Sequence, residues 1–148
     1  MNICTKCFLP HDFKKHENMS ECNKCGGHSV DIDDILVAPI IELWRKGYKT
    51  IACCSGHSIN DITYTNILFR KGVELPYLPK DYEKMIFREQ IMICRYFYKN
   101  EQKEFITEYQ KLKDGMKLTT LERNIKILES IKSLTDWVIE LPKNEMED

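Results

Sequence analysis

Cysteines 4, 7, 22 and 25 form two Cys-x-x-Cys pairs, "CTKC" and "CNKC", with fourteen residues between the pairs. Two intervening residues let both thiolates of a pair reach one ion, while amides of the short loop donate to the sulfurs. Two such pairs complete a tetrahedral Cys4 zinc set. Four thiolates fill the coordination sphere and leave no position for water, which is a structural arrangement. The spacing therefore assigns one zinc ion to Cys4, Cys7, Cys22 and Cys25. Gly26 and Gly27 follow the second pair, where the turn calls for positive φ. His11, His16 and His28 stand as bystanders, because the thiol set is already complete.

A second concentration of reactive groups is "CCSGH", residues 53 to 57. It admits three chemistries. Cys54 could be a nucleophile with His57 as its base and Asp61 orienting the imidazole. Cys53 or Cys54 could join His57 at another metal, with His28 or Asp31 arriving from elsewhere. Ser55 and the amides around Gly56 could form an anion-binding nest. Against these stands a plain turn, with the two thiols as small buried hydrophobes and Gly56 permitting the bend. The candidate ligand-binding set is Cys54, Ser55, Gly56, His57 and Asp61.

The elements that must position these groups follow from periodicity. Residues 1 to 28 show no apolar period, so zinc binding must supply the folding energy of this leader. In "VDIDDILVAPIIELWRKG", Leu36, Ile40, Leu43 and Trp44 share a helical face, and Gly47 supplies the stop. Asp31, Asp33 and Asp34 suit the helix start. Pro39 requires a kink or a regular helix that begins near it. "YKTIACC" reads as a strand with Thr50, Ala52 and Cys54 on one face and Ile51 and Cys53 on the other. "ITYTNILF" (62 to 69) is a second strand, and the short connection makes the pair an antiparallel hairpin. "GVELPYLPKD" reads as a loop, "IMICRYFY" (91 to 98) as a third strand with Cys94 in the core, and 101 to 114 as a charged helix. A last helix opens on a capping box of Thr119 and Glu122. It carries Leu121, Ile125, Leu128, Ile131, Leu134 and Val138 at helical spacing, and it stops before Pro142. The fold class is α+β: a zinc ribbon over 1–29, then an α+β domain over 30–148 with a small, mainly antiparallel sheet packed by helices and a long C-terminal helix.

Composition sets outer limits. The chain of 148 residues is 43% hydrophobic and 30% charged, with a net charge of −1. No apolar run approaches membrane-spanning length, and "MNICTKC" has no signal-peptide core, so the reading expects a cytoplasmic protein with no membrane role. Seven cysteines in that compartment point to metal rather than to disulfides. The net charge supplies no global field for a polyanion. Residues 70 to 113 hold ten Lys or Arg against seven Asp or Glu, which reads as a solvated face.

A helix ending in "RKGYKT", then a strand and "CCSGH", resembles a group of small zinc-ribbon proteins of low-GC bacteria and their phages, in which a Cys-x-x-Cys ribbon precedes a "KGY-T…CSGH" segment. The likeness covers residues 4 to 70 and brings no activity with it. A shorter stretch, Cys54-Ser55-Gly56, is similar to the Ser-Cys-Ser-Gly-Arg stretch at a strand end in the wybutosine-synthesis methyltransferase family, with His57 in place of the arginine. The expected function is a binding module for a nucleotide, nucleic acid or protein partner. A phage or mobile-element setting would add a host-defence or transcription target. The alternative is an enzyme using Cys54 and His57, thiol-dependent or methyltransferase-like. The C-terminal helix leaves homo-oligomerisation open.

Overall fold

The computed structural model describes residues 1–10, 22, 24–56, 64–97 and 120–144. The leader is ordered by a two-stranded antiparallel ribbon, β1 (Asn2–Cys4) with β2 (Ser29–Asp31), in the register Asn2↔Asp31, Ile3↔Val30 and Cys4↔Ser29. A 3₁₀ turn at Asp34–Leu36 then runs into α1 (Val37–Arg45). Pro39 sits in the first turn of α1, where its missing N–H has no intrahelical partner to lose, so no kink is needed. The helix ends as a Schellman motif. Tyr48 N–H donates to Leu43 O at 2.9 Å, Gly47 N–H donates to Trp44 O at 3.0 Å, and Gly47 has φ +91°.

The body contains a four-stranded antiparallel sheet in the order β3-β4-β6-β5: β3 (Thr50–Cys54), β4 (Tyr64–Phe69), β5 (Glu83–Phe87) and β6 (Gln90–Tyr96). The expected pairing of 50–54 with 64–69 is present, but its faces are corrected by an irregularity between Thr50 and Ala52. Ile51 is the extra residue. Thr50 and Cys53 therefore face the core, and Ala52 and Cys54 share the other face, which strict alternation could not give. β5 is an addition to the sequence reading. It forms a hairpin with β6 through Arg88 and Glu89, both at positive φ (+50° and +66°), with Phe87 opposite Gln90. This two-residue connection normally advertises itself as Asn-Gly or Asp-Gly, and that signal is missing here. All five β5 residues are exposed, so no buried alternation betrays the strand.

The last helix, α2 (Thr120–Glu140), is present, and its apolar face needs correction. Ile127, Ser130, Leu134, Trp137 and Val138 are buried, whereas Leu121, Ile125 and Leu128 are 69%, 45% and 60% exposed. The true stripe runs through a serine, which breaks the apolar period that a sequence reading follows. Ser130 is nonetheless satisfied: its hydroxyl donates to Lys126 O and accepts from Arg95 Nη1, and its carbonyl accepts from Tyr82 Oη. The expected cap at Thr119 and the expected helix at 101–114 lie outside the described residues.

One cluster unites α1 (Leu36 at its entry, Ile40, Leu43, Trp44), the sheet (Ile67, Phe69, Ile93) and α2 (Leu134, Trp137, Val138, then Leu141). Ile3 of the ribbon is fully buried in the same cluster, with Phe8 packed against it. Burial of such side chains contributes roughly 1.5–3 kcal/mol each before entropy is set against it. The end of α2 is tied to the end of α1. Lys46 Nζ donates to the carbonyls of Val138, Ile139 and Leu141 at 2.7, 3.0 and 2.7 Å, Tyr48 Oη donates to Pro142 O, and Asn144 bonds Lys46 O and Gly47 O. Among the described residues no helix is long and apolar enough to cross a membrane.

Candidate metal centre and the Cys53–Gly56 turn

The ribbon brings the four cysteine sulfurs within 4.8 Å of one another. Cys4 Sγ and Cys25 Sγ are 3.4 Å apart, Cys7 Sγ and Cys22 Sγ are 3.9 Å apart, and none of the four is in a disulfide. A tetrahedral ion with metal–sulfur bonds of about 2.3 Å sets its sulfurs about 3.8 Å apart. The cluster therefore matches the donor set and the size of a four-thiolate site and could hold a metal ion.

The two knuckles repeat one local geometry. Lys6 N–H donates to Cys4 Sγ at 3.4 Å, as Lys24 N–H does to Cys22 Sγ. Phe8 N–H closes on Cys4 O and Gly26 N–H on Cys22 O, both at 2.9 Å. The closing residue takes positive φ in each, +62° at Phe8 and +70° at Gly26. Glycine is expected at such a position, and phenylalanine is strained there. The strain at Phe8 is offset by docking. Its ring lies 6.1 Å from that of Trp44, with Arg45 Cζ at 5.8 Å and Lys49 Nζ at 5.7 Å from its centroid. Gly27 is needed for a different reason: a Cβ there would lie 2.7 Å from Lys6 Cβ and 2.9 Å from Cys4 Sγ.

Electrostatics divide the touching pair Cys4 and Cys25. Burial pushes the Cys4 thiol up, but the amides of Cys7 and Lys6 and the neighbouring thiols outweigh it and bring it down to about 6. The Gly27 amide pulls the Cys25 thiol down, but contact with Cys4, burial and the Cys22 and Cys7 thiols together outweigh it and raise it to about 11. One proton of this touching pair thus leaves readily and the other needs the ion to displace it. His28 is exposed and outside the sulfur cluster, and its carbonyl accepts from Thr5. His11 and His16 lie outside the described residues.

The Cys53–Gly56 turn is held from four directions. Ser55 N–H donates to Asp33 Oδ2 at 2.7 Å, and Thr65 Oγ1 donates to Ser55 O at 3.0 Å. Arg123 Nη1 of α2 donates to Gly56 O at 2.9 Å, and Gly56 N–H donates to Cys54 Sγ at 3.4 Å. Gly56 has φ +91°, and a Cβ on it would stand 2.5 Å from the Phe97 ring. One amide of the expected nest thus already binds a carboxylate from within the chain. Burial, then the charge of Asp33, pushes the Cys53 thiol up to about 12, so it stays protonated near neutral pH. His57 and Asp61, the partners expected for Cys54, lie outside the described residues. Asp33, Thr65, Phe97 and Arg123 were not legible as members of this site, because nothing in their local sequence distinguishes them. Asp33 in particular reads as one of three acids at a helix start.

A cleft of about 580 Å³ lies between the 77–81 loop and α2, lined among others by Lys80, Asp81, Arg95, Glu129, Asp136 and Trp137. It mixes both charges and singles out no ligand class.

Comparison with protein-family models, curated proteins and solved structures finds no match to this chain. The fold and site define an α+β protein with an N-terminal four-cysteine cluster that could hold a metal.

Proposed function

We propose that this chain is a cytoplasmic zinc-binding module in which a structural Cys4 ion orders a ribbon against an α+β body, and the body presents a surface to a nucleotide, nucleic-acid or protein partner. The observation that carries the reading is the gathering of four sulfurs, with repeated amide-to-sulfur bonds in both knuckles. Zinc is the ion because it favours four thiolates in a tetrahedron and needs no open position. Cys54, Ser55 and Gly56, with His57 and Asp61 beyond them, are the proposed ligand-contacting residues; the rigid seat of the turn supports that role, since a site works best on well-held backbone. The resemblance over residues 4–70 supports a phage or mobile-element setting.

Metal analysis of the purified chain tests the reading. About one zinc per chain is expected, and its removal by a chelator is expected to abolish ribbon structure, read as exchange of the β1 and β2 amides. A chain without metal whose four knuckle thiols titrate freely with a thiol reagent would overturn it.

A further inference from the structure

The last helix, α2, is apolar on two faces. One face, from Ile127 through Leu134 to Val138, is buried on the body. On the other, Leu121, Ile125, Leu128 and Ile139 are exposed. At 3.6 residues per turn these four, with Lys132 and Thr135 between them, lie within an arc of about 80°. That strip stands roughly 150° round the helix from the buried face. Positions 121, 125, 128, 132, 135 and 139 advance by alternate steps of four and three. Such steps are the seam of a helix that packs lengthwise on a second helix. Beside the C-terminal half of the strip a groove of about 320 Å³ opens between α1 and α2, lined among others by Ala38, Pro39, Thr135 and Ile139.

We infer that this strip pairs with the same strip of a second copy of the chain, the two α2 helices running antiparallel. The inference is independent of the metal reading. The alternating steps read the same from either end, as a self-complementary interface requires. An antiparallel copy sets Leu121 against the partner's Ile139, Ile125 against the partner's Thr135 and Leu128 against the partner's Lys132, each contact made twice. It also brings Leu121 to the end of the strip where the partner's groove opens. A parallel copy would instead set Lys132 against the partner's Lys132. In the antiparallel pair the Lys132 stem covers a leucine while its ammonium stays 3.0 Å from Asp136. The acids on one flank, Glu122, Glu129 and Asp136, are each engaged within their own chain, Glu129 by Arg95 at 3.3 Å. The flank therefore neither repels a second copy strongly nor selects a basic partner. The four apolar side chains bury roughly 500 Å² between two copies. A stable interface needs about 1,200 Å², so groove and flanks supply the rest and the dimer is a weak one.

Sedimentation velocity of the purified full chain, from about 1 to about 300 µM, tests this. A monomer–dimer transition is expected, with a dissociation constant on the order of 10 µM. The double variant Ile125→Lys with Leu128→Lys changes two exposed side chains and should weaken it tenfold or more. Lys132→Leu should tighten it tenfold or more, because a charge at a seam position costs affinity. The pair Ile86→Lys with Phe87→Lys removes equally exposed apolar side chains from β5 and should change it about twofold or less. Circular dichroism and zinc content are read on every preparation. A photo-crosslinking residue placed at position 121 should attach to the partner near Ile139. A parent chain that stays monomeric at every concentration, as a different protein partner would require, overturns the inference and leaves the metal reading untouched. So does growth beyond a dimer, an equal loss in the β5 variant, or attachment at the partner's own position 121.

Discussion

At position 8 a phenylalanine occupies the backbone conformation that Gly26 occupies in the second knuckle. The two knuckles therefore do different work with one geometry. The second is closed by glycines and turns tightly on itself, while the first uses its closing residue as an anchor on Trp44, Arg45 and Lys49. The glycines themselves are not equivalent. A methyl group at Gly27 must displace Lys6 Cβ or Cys4 Sγ, whereas one at Gly72 meets open space and costs only its unfavourable φ of +93°. We predict that Gly27→Ala weakens metal retention by tenfold or more in competition with a chromogenic chelator. Gly72→Ala should leave retention unchanged while destabilising the fold by about 1 kcal/mol. Equal retention in the two variants would show that the tight contact at Gly27 does not shape the sulfur cage.

Among the elements, α1 and its stop were legible because apolar spacing and Gly47 agree, and the β3–β4 pairing because β-branched runs flank a short connection. The gathering of Cys4, Cys7, Cys22 and Cys25 was legible from spacing alone, since two-residue knuckles have one common chemical use. What escaped the sequence is what tertiary context decides. The bulge at Ile51 depends on the partner strand, β5 lacks both a buried face and a glycine turn, and the α2 stripe passes through Ser130 because Arg95 and Tyr82 satisfy it there. The joint between the two helices is another such feature. Lys46 brings its ammonium to three carbonyls at the end of α2, where the dipole is negative and the acceptors have no helical partners. Lys46→Met keeps the aliphatic stem and leaves those carbonyls without the charge. It should cost about 2 kcal/mol in urea unfolding, with zinc content unchanged. A midpoint indistinguishable from the parent would show that water replaces the lysine without loss.

For the whole molecule, burial of titratable groups in the sheet sets a pH limit. Burial pushes the thiols of Cys53 and Cys94 up, from an ordinary value of 9.0 to about 12 and about 11, with the charges of Asp33 and Glu83 adding to it. Burial also raises the Tyr82 phenol. Below pH 9 these thiols hold their protons in both folded and unfolded chains. Above it the unfolded chain ionises first, so it binds fewer protons than the fold and is favoured. The stability these thiols contribute is therefore fully present below pH 9 and is lost as pH rises towards 11 and 12. Melting temperature should fall above about pH 9, and the double variant Cys53→Ala, Cys94→Ala should fall less steeply. A steep alkaline fall of the same size in that variant would assign the limit to other groups. Were the ribbon thiols to hold a metal as thiolates, unfolding would return protons to them below pH 9 and stability would rise with pH there, so the fall above pH 9 stays with the buried thiols.

Four sulfurs sharing one ion are the centre of the proposed function, and the absorption edge of zinc reports on them most directly. X-ray absorption at the zinc edge of the purified chain should show a single shell of four sulfurs at about 2.3 Å and no light-atom ligand. A shell of mixed nitrogen or oxygen and sulfur, or a sulfur count of two, would place the ion elsewhere and contradict the assignment to Cys4, Cys7, Cys22 and Cys25.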